Sequence, residues 1–236
     1  MSTIKSSSED LTLNADGSNE VKFQINAVEK ASINSSGLFT STTIDATKLT
    51  GNLPAISGAS LTGVGGAWTV IETQVANDDV SLTVSGLNST YAMHVVTFSE
   101  MIPAVDATNP YLRFGDASGV DSGASDYQYM RHMIQEGSTS YDGAEGPGSG
   151  IMMGASVGTN AGEGWNGVFF MGGIGTGSVR PTIFGHWVSY TDSPEMRGGS
   201  IWGMRDAVIT TDRINFFFSG GNITSGRMSV YGISHT

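Results

Sequence analysis

The chain contains no cysteine, which excludes a disulfide framework and any thiolate metal centre. Proline is scarce, at 6 of 236 residues, and only 14% of residues are charged. A disordered chain of this length carries more charge and fewer aromatics. Basic residues are few: 11 Lys+Arg stand against 22 Asp+Glu, giving a net charge of −11. A surface of that sign repels phosphate backbones, so no nucleic-acid partner is expected. It also disfavours anionic membranes unless divalent cations bridge the gap. No apolar run approaches the ~20 residues that span a bilayer, so no membrane insertion is expected. Residues 1–10 are polar and carry no apolar segment of the kind that directs secretion, so synthesis in a cytoplasm is expected.

Glycine, by contrast, is abundant at 33 residues, and 10 Phe, 7 Tyr and 4 Trp supply a core. Glycine without a three-residue period excludes collagen and points to many tight turns between short strands. The residue types are unevenly distributed. All four lysines precede residue 49, whereas all seven arginines follow residue 112 and all four tryptophans follow residue 67. Three segments are expected: an N-terminal β-stalk and attachment segment over 1–48, a collar or linker over 49–66, and a tip domain over 67–236.

In the first segment Leu11 and Leu13 precede a turn signal at Ala15-Asp16-Gly17-Ser18. Val21, Phe23, Ile25 and Ala27 then alternate with Lys22, Gln24 and Asn26, the period of a half-buried strand. A lone hairpin with one apolar face is marginal in water. Identical copies around a threefold axis would cover that face. The linker repeats Leu-Thr-Gly at Leu49 and Leu61, with Leu53 and Ile56 between them among small residues. A free Gly/Ser linker lacks such aliphatics. The expected trimer interface is therefore Leu11, Leu13, Val21, Phe23, Ile25, Leu49, Leu53, Ile56 and Leu61.

Beyond residue 67, strand-like runs recur every 10 to 20 residues without a convincing amphipathic helix. Glycine-rich stretches, such as 137–150 and 172–177, separate them as turns. This predicts an all-β fold, a short trimeric β-stalk followed by a C-terminal jelly-roll-like antiparallel β-sandwich.

The stretch from Asn26-Ala27-Val28-Glu29 to Ser36-Gly37-Leu38 resembles the stalk repeats of tailed-bacteriophage fibres, as does that from Ile44-Asp45-Ala46 to Ala59-Ser60-Leu61. The C-terminal portion, clearest at Tyr111-Leu112-Arg113-Phe114-Gly115-Asp116 and Asp212-Arg213-Ile214-Asn215-Phe216-Phe217-Phe218, is similar to the tip domains of marine phage tail or head fibres. The resemblance implies a homotrimeric virion protein released by lysis. Its N-terminus would meet other virion proteins, and its tip would bind a host-surface glycan or outer-membrane component. A structural neck or capsid decoration and a polysaccharide-degrading spike are the alternatives.

Candidate chemistry is sparse. Gly162-Glu163-Gly164-Trp165-Asn166-Gly167 fits a dinucleotide-binding pattern, but such a pattern needs a helix after it and a strand is expected there. Asp116, Asp121 and Asp126 recur every five residues on a Gly/Ser stretch, a loose candidate for Ca²⁺. No catalytic residues are expected, since scattered carboxylates satisfy no geometric test and no Gly-x-Ser-x-Gly elbow is present. His94, His132 and His186 are expected in buried or interface positions with satisfied hydrogen bonds. Phe216-Phe217-Phe218 predicts a strand buried on both faces, one of them against a neighbouring subunit. Receptor contacts are expected on loops of the rigid sandwich, at Tyr141, Asp142 and Glu145 and at Asn160 and Trp165, whose rings, carboxylates and amides suit sugars.

Overall fold

The structure, a computed structural model, describes residues 19–36, 39–41, 68–138, 141–193 and 195–234. Among the described residues every helix or strand element is a strand. The chain is all-β, as its alternation and turn signals predict. It divides into two compact units, Met1–Leu61 and Thr62–Thr236.

In the first unit, β1 (Val21–Ile25), β2 (Val28–Ile33) and β3 (Phe39–Ser41) form an antiparallel sheet in that order. Asn26 and Ala27 make the turn, with φ of 53° and 60°. Two consecutive left-handed residues match the twist of a tight hairpin. The first strand therefore stops at Ile25 rather than running through Ala27. A bulge between Phe23 and Gln24 sets Val21 opposite Ile33, Phe23 opposite Ala31 and Ile25 opposite Val28. Directly opposed residues share a face, so this register collects the aliphatic side chains on one side. Lys22 pairs with Glu29 at 3.2 Å and with Glu20 at 3.4 Å on the other.

The second unit is a sandwich. Its eight-stranded sheet contains β4 (Trp68–Asp79), β6 (Met93–Pro103), β9 (Tyr127–Gln135), β10 (Tyr141–Gly148), β12 (Gly164–Gly172), β13 (Thr182–Tyr190), β14 (Met196–Arg205) and β16 (Ile223–Ile233). Their spatial order is β10-β9-β14-β13-β12-β6-β16-β4. The smaller sheet contains β5 (Leu82–Ser85), β7 (Pro110–Asp116), β11 (Ile151–Met152) and β15 (Arg213–Phe218), in the order β11-β7-β15-β5, with β8 (Gly119–Val120) pairing with β7. The partial orders β4-β16-β6-β12 and β5-β15-β7-β11 are those of a jelly roll, in which the folded-back chain winds alternately through two sheets. The other four strands of the large sheet extend it. β9 and β10 come from the segment between β7 and β11, and β13 and β14 from the segment between β12 and β15. The two insertions join where β9 pairs with β14 over nine residues.

Phe98, Trp165, Phe169 and Phe216 form the aromatic centre of the core. Trp165 stacks on Phe169 at 5.9 Å and on Phe216 at 5.6 Å, and Phe98 lies 4.6 Å from Phe216. Such pairs contribute about 0.5–1.5 kcal/mol each beyond area burial. Gly167 and Gly185 make room for Phe169: a Cβ on Gly167 would lie 2.5 Å from its ring, and one on Gly185 2.1 Å from the Val168 carbonyl. Phe216 and Phe218 point into this core. The intervening Phe217 is covered by its own chain, with the Arg113 guanidinium 4.2 Å above its ring and Tyr111 stacked at 5.5 Å. No neighbouring subunit is needed to shelter that run.

His94 on β6 is buried and meets the Tyr91 ring edge-on at 5.7 Å. That ring fills the space left by Gly232, where a Cβ would come within 2.2 Å. The Nε2 atom finds no hydrogen-bond partner among the described residues, unlike the satisfied histidine expected from sequence. Burial pushes the His94 imidazole below its ordinary range. The unfolded chain then binds more protons than the folded one between the ordinary value of about 6.5 and the lowered one, so stability falls as pH drops through that window and is fully present above it. Thermal unfolding measured from pH 7 to pH 4 is expected to show this loss, and His94→Leu is expected to flatten the slope. An equal slope in the variant would assign the acid lability elsewhere.

Candidate functional site

The outer face of the large sheet is unusual for a solvated surface. Along β13 the inward positions Ile183 and Trp187 are buried, but the outward positions Phe184, Val188 and Tyr190 are also apolar and stay exposed. Register continues this face across the extension. Phe184 lies opposite Trp202 on β14, and Trp202 opposite Met130 on β9. Phe184 is 41% exposed, Trp202 46% and Met130 55%. Phe170 stacks on Phe184 at 5.5 Å and meets Trp68 edge-on at 6.4 Å, and Trp68 lies 5.8 Å from Tyr231. An aromatic row thus crosses the sheet transversely. Contiguous exposed apolar surface of this kind marks interaction sites.

Two concavities open on this face. The first, of about 580 Å³, is floored by Phe184, Trp202 and Met130 and walled by Gln128, Met204 and Pro147. At its rim the Gln128 amide donates to Asp206 at 2.8 Å, and Arg180 pairs with the same carboxylate at 3.4 Å. The second, of about 620 Å³, lies at the far end of β13, lined by Tyr190, Val188, Met196, Glu100, Glu163 and Asn166. Glu100 holds a left-handed φ of 55° while its backbone N–H donates to the Asn166 side chain at 2.8 Å. Between the two, His186 Nδ1 and Ser200 Oγ lie 2.9 Å apart, with His132 opposite Ser200 in register.

The chain matches no family model, no curated protein and no solved structure.

The expected receptor residues separate into three groups. Tyr141, Asp142 and Glu145 lie on edge strand β10, opposite Met133, His132 and Tyr129, so the glycine-rich stretch expected as a turn is largely a strand. Its Gly146 and Pro147 wall the first concavity. Asn160 sits on a surface turn whose backbone N–H and side-chain amide both donate to Glu163, at 2.7 and 3.2 Å. Trp165 is a correction: at 0% exposure it belongs to the core and has no surface to offer a ligand. The glycine pattern around it leads into β12, not a helix.

The three aspartates of the Gly/Ser stretch do not come together as one group. Asp121 accepts from Arg205 Nε at 2.7 Å, and Asp126 pairs with Arg205 Nη2 at 3.1 Å while accepting from the Gly123 N–H at 2.6 Å. Asp116 turns away to Ser118, whose N–H and hydroxyl both donate to it, at 2.8 and 2.6 Å. These bonds hold its carboxyl below the usual range. Asp121 and Asp126 thus share the Arg205 guanidinium while Asp116 bonds elsewhere, and no group of three metal-ligating side chains forms among the described residues. Tyr127 lies beneath Arg205, ring to guanidinium 5.8 Å, and burial pushes its phenol strongly upward.

Of the expected trimer interface, Leu11, Leu13, Leu49, Leu53, Ile56 and Leu61 lie outside the described residues. Val21, Phe23 and Ile25 are on β1, where Phe23 is 44% and Ile25 63% exposed.

Proposed function

We propose that this chain is a virion fibre or spike protein, a homotrimer whose N-terminal β-stalk carries a jelly-roll tip that attaches the particle to the surface of its host. The observation that supports adhesion most directly is the exposed aromatic face on the sheet extension. A jelly roll needs only four strands in that sheet, and the added four present a concave apolar floor with a hydrogen-bonding rim. Rigid scaffolds that display such added surface commonly use it for binding.

Two of the carboxylates that border this face are already engaged, which fits binding rather than catalysis. Asp206 is held by Gln128 and Arg180, and Glu163 by the turn it closes. The stalk reading rests on the uncovered stripe of β1 and β2. Weak single sites joined in a trimer gain avidity from effective concentration.

Purified full-length chain, added to host cells before the particle, is expected to slow adsorption in proportion to its occupancy of the cell surface. Adsorption unchanged at saturating chain would sink the adhesive role and leave a decorative one.

A further inference from the structure

We infer that the outer face of β13 and β14 is a binding trough for an uncharged oligosaccharide several rings long, stacked at one end on Trp202 and Phe184 and at the other on Tyr190. The inference deepens the adhesive reading, on which it rests for the source of the sugar. Phe184 and Tyr190 are six residues apart on one strand, about 20 Å at ~3.3 Å per residue. That span exceeds a single ring and suits a chain.

The surface alternates in the way a glycan does. Its two apolar ends are separated by the polar band of His186, Ser200 and His132. Sugar rings offer C–H faces to aromatic planes and hydroxyls to such polar groups. Gly198 occupies the outward position between Val188 and Ile134, so the floor drops between the polar band and Tyr190. At the first end, the bond from the Gln128 amide to Asp206 fixes that side chain beside the rings. Glu100 and Glu163 line the second end, and Asp206 sits at the first against a single Arg180. On a chain of net charge −11 this balance repels anionic polysaccharides and favours neutral ones. A second copy of the chain is a poorer occupant: polar groups interrupt the apolar surface, and like charges would face one another across a symmetric contact.

The test uses the full-length chain on a printed array of neutral bacterial-surface oligosaccharides, followed by calorimetric titration of the strongest hit as trisaccharide and as hexasaccharide. Hexasaccharide binding tighter than trisaccharide binding is expected. Trp202→Ala is expected to weaken both about tenfold, the loss of one stacked ring, and Trp202→Phe to restore most of it. Tyr190→Ala is expected to weaken the hexasaccharide alone. Sedimentation and circular dichroism accompany each variant. The inference is overturned if no array member binds, if Trp202→Ala binds as the parent does, or if its loss of binding follows a change in oligomeric state. A trimer that binds no sugar sinks the trough and spares the fibre reading. A monomer that binds sugar does the reverse.

Discussion

Arg205→Met is expected to destabilise the tip by about 3 kcal/mol, read as a shift in the urea unfolding midpoint at constant slope. The Arg205 side chain is 13% exposed and bonds two carboxylates, Asp121 at 2.7 Å and Asp126 at 3.1 Å, with further donation to the Asp126 carbonyl. Methionine fills similar volume but leaves two acidic groups facing each other with little water to separate them. Breaking one partner of such a set costs far more than an exposed pair, which contributes about 0–1 kcal/mol. The loop they hold also positions Tyr127, whose hydroxyl accepts from the Phe114 N–H at 2.9 Å and ties β9 to β7 across the sandwich. Adding Asp121→Asn and Asp126→Asn to Arg205→Met is expected to recover part of the loss by removing the like charges. A single-variant loss below about 0.5 kcal/mol would class the cluster with ordinary surface pairs.

The intact chain is expected to sediment as a trimer at micromolar concentration, and Phe23→Asp with Ile25→Asp as a monomer whose tip still unfolds cooperatively. In the three-stranded sheet Phe23, Ile25, Val28 and Ile33 share one face and remain exposed. Burying what remains exposed of each against another copy is worth about 1 kcal/mol, multiplied over three chains. A carboxylate on that face meets its symmetry mates at short range and cannot be desolvated cheaply. The tip has its own core, so the substitutions touch assembly alone. A parent chain that sediments as a folded monomer would remove the stalk from the proposal.

How much of this was legible in the sequence depended on whether a strand has one apolar face or two. The alternation of Val21, Phe23 and Ile25 and that of Met228, Val230 and Gly232 point to strands, and β1 and β16 are there. β10 was hidden, because Gly143, Gly146, Pro147 and Gly148 carry turn chemistry and only pairing with β9 makes them a strand. The trough was hidden for a related reason. Residues 183–190 read as a strand, and apolar residues at both Ile183/Trp187 and Phe184/Val188 signal one covered on two sides, as at Phe216-Phe217-Phe218. That signal does not say that one side lacks its cover, since that depends on which strands end up opposite. Trp165 misled in the opposite sense: its glycine-rich surroundings suggest a loop, yet those glycines make room for rings in the core. The ion cluster at Asp121 and Asp126 needed a partner 79 residues beyond Asp126, out of reach of local pattern.

Edge strand β4 pairs along its length with β16, the last strand of the domain. Trp68, at the start of β4, is opposite Ile233, at the end of β16, so the two ends of the sandwich lie about one strand spacing of 4.8 Å apart. A module with both ends at one doorway can be lifted out and spliced onto another mount without threading the chain through its interior. Recombination between genes, or a laboratory graft at the same two points, would exchange this domain as a unit while leaving the rest of the chain untouched.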